Sequence, residues 1–401
     1  MDLLAKRLGS INFSQTLAIG QRAARMRAAG HDIISLGLGE PDFKIAENIR
    51  SATAKAALEG HERSGPVEGI SELKSAVVRK LNRENGLSYE PEQIVIGAGS
   101  KQIIFNAMMA TLDPGDEVII PAPYWVSYPD IVRMAGANPV TVPCTSQLGH
   151  KITADMLNSA ITAKTKWFIL NSPSNPTGAV YRADELHALA EVLRARPGIL
   201  ILSDEIYEKF VYPPAKFASI AGVAPDLRDR ILTVNGPSKT YSMIGWRIGY
   251  GAGPVELIRG MMRIQSQVTS STCTIAQIGT AAALLGPQES VAATIADYHE
   301  RRNLVVELAS RIRFFHAIPP DGAFYLFPDC SALIGASTRD GKVFKTDVDV
   351  VDYLIDVAGV VTVPGSAFGM GPALRMAYTC PRDRLEVAFD RIATALDGVR
   401  H

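Results

Sequence analysis

The stretch Ile231-Leu232-Thr233-Val234-Asn235-Gly236-Pro237-Ser238-Lys239-Thr240-Tyr241-Ser242-Met243-Ile244-Gly245-Trp246-Arg247 decides how this chain is read. An apolar run ends at an asparagine, small residues follow, and Lys239 stands among them with Arg247 eight positions on. A lysine in a pocket can form a Schiff base with an aldehyde, which few other side chains can do. An arginine nearby is suited to a phosphate. Together they point to a phosphorylated aldehyde cofactor, pyridoxal phosphate. Taken alone, a lysine with an arginine downstream is ordinary surface charge, so the rest of the chain has to carry the reading.

Outward from that stretch, short apolar runs alternate with helical patterns from about residue 70 to 285. The runs are Ile94-Val95-Ile96, Val118-Ile119-Ile120, Trp167-Phe168-Ile169-Leu170, Ile199-Leu200-Ile201-Leu202, Ile231-Leu232-Thr233-Val234 and Ile248-Gly249-Tyr250. They lack polar alternation, as expected of strands covered on both faces. Between two of them, Asp184 to Arg194 reads as an amphipathic helix. This alternation predicts an α/β fold with a mostly parallel sheet flanked by helices. Three runs end in a polar residue, Asn171, Asp204 and Asn235, and ligands of open α/β sheets bind at the carboxyl ends of strands.

The two ends of the chain read differently. Near the start come a helix candidate, Ser14 to Ala29, and the glycine-rich Leu36-Gly37-Leu38-Gly39-Glu40-Pro41-Asp42. After residue 288 come a long helix pattern to about Arg313, a strand candidate Ala323-Phe324-Tyr325-Leu326-Phe327, another helix, and Val360-Val361-Thr362-Val363-Pro364-Gly365. A large α/β domain over 47–287 is expected, with a smaller α+β domain built from 1–46 and 288–401.

The 401 residues are 47% hydrophobic and 20% charged, with 41 Lys plus Arg against 41 Asp plus Glu. That balance advertises neither nucleic acid nor an anionic membrane. The cysteines Cys144, Cys273, Cys330 and Cys380 are scattered without a CxxC, which reads as reduced and cytoplasmic. The histidines show no HExxH spacing, so no metal is expected. The start of the chain has no apolar core of signal-peptide length, and no run is of transmembrane length.

Several further residues are candidates for chemistry, each with a plainer account beside it. Gly97-Ala98-Gly99-Ser100-Lys101-Gln102 follows a strand and opens a helix, where backbone amides suit a phosphate. Gln102 stands where GxGxxG needs its third glycine, and a tight turn accounts for the loop equally well. Asp204, after a wholly apolar run, needs a partner. A protonated ring nitrogen would serve, as would a helix cap or an arginine. In Asn171-Ser172-Pro173-Ser174-Asn175-Pro176-Thr177-Gly178, a loop in any reading, Asn175 can donate to a phenolate oxygen. Trp125 can stack on a planar ring or simply pack. Arg375, a charge inside Leu374-Arg375-Met376-Ala377-Tyr378, calls for an anion, either a substrate carboxylate or a structural one.

In combination, Asn-Ser-Pro-Ser-Asn-Pro-Thr-Gly (171–178), Ser-Asp-Glu-Ile-Tyr (203–207) and Ser-Lys-Thr-Tyr-Ser-Met-Ile-Gly-Trp-Arg-Ile-Gly-Tyr (238–250) resemble one family: the class I, fold-type I pyridoxal phosphate aminotransferases of the aspartate aminotransferase group, bacterial branch. The resemblance runs from Ser14 to about Tyr378. It implies that Lys239 forms the internal aldimine, that Asp204 pairs with the ring nitrogen, and that Tyr207 and Asn175 bond the ring oxygen. It implies further that Trp125 stacks on the ring, that Gly99, Ser100, Lys101, Ser238 and Arg247 hold the phosphate end, and that Arg375, Asn175 and the backbone near Gly39 grip the substrate α-carboxylate. Lys101, Ser14 and Thr16 match positions that read a side-chain carboxylate in that branch. Ping-pong transfer between a dicarboxylic amino acid, such as aspartate, and a 2-oxo acid, such as 2-oxoglutarate, is thereby implied, in a homodimer with shared sites.

Two positions depart from the family pattern. Asn12-Phe13 stands where relatives carry Lys-Pro, a lysine that supports prephenate use in some of them. Ser64 stands where relatives carry a tyrosine that reaches the partner's phosphate, so altered cofactor affinity or a drifted substrate preference is expected. An aminotransferase for aromatic or neutral amino acids and a pyridoxal phosphate C–S or β-lyase are the competing readings.

Overall fold

The computed structural model describes residues 3–11, 13, 15–61 and 63–401. The strands are β1 (Ile34–Ser35), β2 (Ile94–Gly97), β3 (Glu117–Ala122), β4 (Asn138–Pro143), β5 (Thr165–Asn171), β6 (Leu200–Asp204), β7 (Ile231–Asn235), β8 (Gly249–Ala252), β9 (Tyr325–Leu326), β10 (Val360–Val361), β11 (Val363–Pro364) and β12 (Leu374–Ala377). Seven of them form one sheet in the order β2-β8-β7-β6-β5-β3-β4. All pairs in it are parallel except those made by β8, which runs against β2 and β7. The apolar runs lie where strands were expected, and their residues are buried from end to end in β2, β7 and β8. Side chains on the two faces feed two cores, one around Leu73, Phe168 and Ile201, the other around Ile104, Trp167 and Leu232.

One strand of this sheet escaped the sequence reading. β4 is an edge strand, half exposed, with an asparagine, two prolines and a threonine in six residues. Proline is tolerated at a sheet edge, where one row of N–H groups needs no partner, so the pattern there is not apolar.

A third core lies beside the sheet and draws on both chain ends, from Ala23 and Ile34 to Leu385 and Ile392, with Tyr207, Phe210 and Tyr212 contributed from the loop after β6. The helix expected over Ser14 to Ala29 spans Gln15–Ala28, and the long one spans Glu289–Ser310. The run 360–365 does not form one strand. Val360 and Val361 pair in parallel with Ile34 and Ser35, whereas Val363 and Pro364 pair antiparallel with Arg375 and Leu374. The chain changes sheets at the fully buried Thr362. The strand expected over 323–327 narrows to Tyr325–Leu326, against Ala377 and Met376.

This arrangement sets the site. Asn171, Asp204 and Asn235 are the last residues of adjacent strands, with Asn171 level with Asp204 and Asp204 level with Val234. Facing them is the segment Leu36–Asp42. The amide of Ala377 donates to Leu36 O at 2.7 Å, Thr379 Oγ1 to Leu38 O at 3.1 Å, and Arg301 Nη1 to Asp42 at 3.0 Å.

Candidate active site

Between the strand ends and that segment is a cavity of about 370 Å³. Its wall contains Gly99, Ser100, Lys101, Trp125, Asn175, Asp204, Tyr207, Ser238, Lys239, Arg247, Gly39, Thr16 and Arg375. Every described residue to which the resemblance assigns a role in holding cofactor or substrate is thus brought to one place; Asn235 is not in the wall, and its Oδ1 accepts from the amide of Gly236. Ser14 lies outside the described residues, as does Asn12.

Lys239 sits in the short helix Pro237–Thr240, which follows β7 at once. Its ammonium donates to Gly39 O at 2.7 Å. Burial lowers its pKa to about 8; Glu40 opposes this, Arg375 and Arg247 add to it, and Asp204 opposes again. An amine near neutrality is suited to nucleophilic attack and proton transfer.

Asp204 ends β6 and is 5% exposed. Neither an arginine nor a helix cap is its partner: Tyr128 Oη donates to Oδ2 at 2.7 Å and the amide of Ile206 to Oδ1 at 3.3 Å. Burial raises its pKa to about 6, and those two hydrogen bonds oppose the rise. A buried carboxylate left without a cation favours a positive group placed against it.

Arg375, on β12, is 3% exposed. Its Nη1 donates to Asn175 Oδ1 at 3.2 Å and its Nη2 to Gly37 O at 2.5 Å, and its Nε has no partner among the described residues. Among the described residues no carboxylate pairs with it, so the structural alternative raised by the sequence is not realised. Burial lowers its pKa, and the rings of Tyr325 and Phe368 flank it at 4.8 and 4.9 Å. A buried guanidinium with spare donors is built for an anion that binds two at a time.

The opposite end of the cavity is the turn between β2 and the helix Ser100–Thr111. Gly99 takes φ +87°, and a Cβ there would overlap Arg247 Nη2. Gly249 is equally constrained, since a Cβ on it would overlap the amide nitrogen of Ser100. Arg247 itself holds φ +57°, sparsely populated for a residue with a side chain. Among the described residues its guanidinium donates only to the carbonyls of Ile244 and Ala98. The helix start, the glycine and the arginine converge as a cradle for a phosphate. Lys101 is exposed, with Nζ 5.0 Å from the Trp125 ring. Partial loss of water, and then the Arg247 charge, lower its pKa.

Two contributors, Tyr128 and Tyr325, were not singled out from the sequence, and a third, Asn171, was noted there only as a polar strand end. Tyr128 packs edge-on against Trp125 at 5.2 Å and bonds Asp204; it lies in the first turn of the helix Ser127–Met134, whereas Trp125 is in the loop before it. Tyr325 bonds Tyr207, hydroxyl to hydroxyl at 2.7 Å, and its ring end fills the space where a Cβ on Gly39 would lie. Asn171 accepts from the amide of Asn175 at 2.9 Å and so places that side chain. Ser64 is not part of the cavity wall; its hydroxyl is 2.9 Å from that of Ser271.

Residues 31–392 match the family described as aminotransferase class I and II. The aspartate/prephenate aminotransferase of Cereibacter sphaeroides is 47% identical over the full length of both chains. The aspartate aminotransferase of Rhizobium meliloti is 46% identical, over 98% of this chain and 96% of that one. The crystal structure of the aspartate aminotransferase from Rhizobium meliloti superposes with a TM-score of 0.96, at 45% identity and full coverage of both chains. That from Thermus thermophilus with maleate superposes at 0.91, with 38% identity over 99% of this chain and all of that one. The architecture is that of a fold-type I transferase. The chain belongs to the class I and II aminotransferases, within the aspartate aminotransferase group, and is a transaminase. Pyridoxal phosphate is the general cofactor of that family.

Proposed function

We propose that this chain binds pyridoxal phosphate on Lys239 and moves the amino group of aspartate, or of another dicarboxylic amino acid, to a 2-oxo acid such as 2-oxoglutarate. The observation that carries the reading is Arg375, a buried cation without a carboxylate partner, in one cavity with a lysine of lowered pKa. The residues present fit the cofactor: a glycine-opened cradle with Arg247 at one end, and the buried carboxylate of Asp204 at the other. Bound there, the cofactor supplies an aldehyde for a covalent bond to Lys239 and a ring that draws electrons from the substrate Cα.

Asp204 would hold the ring nitrogen protonated; unit charges ~4 Å apart attract by roughly 4 kcal/mol at an effective dielectric near 20. Tyr207 and Asn175 would donate to the ring oxygen, Trp125 would pack on the ring, and Ser100, Lys101, Ser238 and Arg247 would hold the phosphate. Arg375 fixes the substrate α-carboxylate, with Asn175 and the backbone at Gly39 alongside. With the cofactor bound, the Lys239 amine would take the proton from the substrate Cα. Lys101 and Thr16, whose buried hydroxyl lacks a partner among the described residues, are assigned to the side-chain carboxylate, with Ser14 assigned the same role from sequence. We propose also that 47–287 forms the cofactor-binding domain and that 1–46 with 288–401 forms the smaller one. A homodimer with shared sites, and a cytoplasmic setting, complete the reading. No helix among the described residues is long and apolar enough to cross a membrane.

The test is spectral. Pyridoxal phosphate added to the purified protein gives a visible band that L-aspartate converts to the pyridoxamine band. Borohydride fixes the cofactor on Lys239, and Lys239→Ala abolishes the adduct. Arg375→Leu leaves cofactor binding intact and raises KM for the amino donor by about a hundredfold, the loss expected when one member of a buried charge pair is removed. With a cysteine thioether as substrate, loss of the β-sulfur as a thiol and release of pyruvate and ammonia, in place of the pyridoxamine band, would mark a lyase.

A further inference from the structure

The turn Asp204-Glu205-Ile206-Tyr207-Glu208 has two kinds of side chain. Asp204 and Tyr207 line the cavity, whereas Glu205 and Glu208 do not, though both are buried. Glu208 Oε1 accepts from Lys80 Nζ, and Glu208 Oε2 from Asn85 Nδ2 at 2.9 Å. Lys80 Nζ also donates to Asn85 Oδ1 at 2.8 Å, which closes a triangle. Lys80 is 2% exposed and Glu208 7%. Glu84 stands 3.7 Å from Lys80 and is held in turn by Lys209 at 2.8 Å. Lys80 and Asn85 belong to the helix Ser71–Asn85, so the triangle ties that helix to the residue next to Tyr207.

Burying an ion pair costs several kcal/mol for each ion, and an apolar pair of similar volume is often as stable. Stability alone is therefore a poor account of Lys80 and Glu208. Their placement offers another. Tyr207 meets Tyr325 at 2.7 Å, and the backbone that aims it is fixed on one side by β6 and on the other by Glu208.

We propose that Lys80, Asn85 and Glu208 are positioning residues that aim the Tyr207 hydroxyl at the cofactor ring oxygen. This rests on the functional reading above. A hydroxyl donated to that oxygen favours its anionic form and keeps the pH midpoint of the visible band low. Displacing Tyr207 raises the midpoint and slows turnover without altering the grip of Arg375 on substrate.

The experiment compares wild type with the double variant Lys80→Met/Glu208→Leu, which removes both charges of the pair together. Asn85→Ala is the milder variant; it deletes two sides of the triangle at a partly exposed corner and leaves the Lys80–Glu208 pair in place. Thermal unfolding and near-ultraviolet dichroism report folding. The pH midpoint of the pyridoxal phosphate band, kcat and KM report positioning. The expected result is a folded double variant with a midpoint raised by at least about half a unit. Its kcat falls by about ten- to a hundredfold, the scale of a small misplacement at a reacting centre, and KM stays within about twofold. Asn85→Ala moves the midpoint the same way by less, and it decides the matter if the double variant does not fold. Folded variants with the wild-type midpoint and kcat would overturn the proposal. Failure of the functional reading is separate, since the wild-type protein would then show no visible band with pyridoxal phosphate.

Discussion

Lys239 and Arg375 are cations held in a cavity with too few anions, and that imbalance has a cost that can be measured before any cofactor is added. Burial lowers the Lys239 pKa from 10.5 to about 8. Below about pH 8 the amine is charged in the fold and the full penalty is present. It fades as pH rises toward the ordinary lysine value, where folded and unfolded chains are both neutral. Lys239→Met in cofactor-free protein is therefore expected to raise Tm by roughly 2–5 °C at pH 7. The gain shrinks steadily toward pH 10, as read by thermal unfolding across a pH series. A gain that is constant with pH would show that packing, not charge, is the cause.

The strand-to-helix turn after β2 works as an element because two glycines let β8, the helix start and the Arg247 side chain meet. Gly99 turns the chain at φ +87° under the Arg247 guanidinium, and Gly249 lets β8 lie against the start of the helix Ser100–Thr111. Gly99→Ala puts a Cβ into a left-handed position and against Arg247. The strain costs about 1–3 kcal/mol, and Arg247 must move. Affinity for pyridoxal phosphate is expected to fall by about tenfold or more, since each 1.4 kcal/mol is tenfold. Affinity for pyridoxal, which has no phosphate, falls less. Equal losses for the two, measured by absorbance titration, would remove the cradle from this turn.

For the molecule as a whole, the segment Leu36–Asp42 joins the core from the chain ends to the sheet. Arg375 donates to Gly37 O, Lys239 to Gly39 O, Thr379 to Leu38 O and Arg301 to Asp42. Arg301, with a side chain 7% exposed, is the buried end of this chain of contacts and also pairs with Asp297. Asp42→Asn weakens a charged hydrogen bond of about 1.5–3 kcal/mol while Asp297 still neutralises Arg301. Faster amide exchange over residues 36–42, with Tm nearly unchanged, is the expected outcome. Unchanged exchange would place the restraint at Arg375 and Lys239 instead.

The strand positions, the parallel character of the sheet and most of the site were legible in the sequence. The apolar runs, the asparagine and aspartate that end them, and Gly99 before its helix are local features, set by period and by turn chemistry over a few neighbours. The order in which β8 inserts antiparallel beside β2, the edge strand β4 and the break at Thr362 were not, because no local pattern marks them. The same holds for Tyr128 on Asp204, 76 positions apart, Tyr325 on Tyr207, 118 apart, and the triangle of Lys80, Asn85 and Glu208, whose corners span up to 128. Each of these partners reads as a helical or strand residue until folding brings it to the other. The chain specified which groups would be available for chemistry; packing decided which of them are left without a counter-ion, and that lack is what makes the cavity able to hold anions.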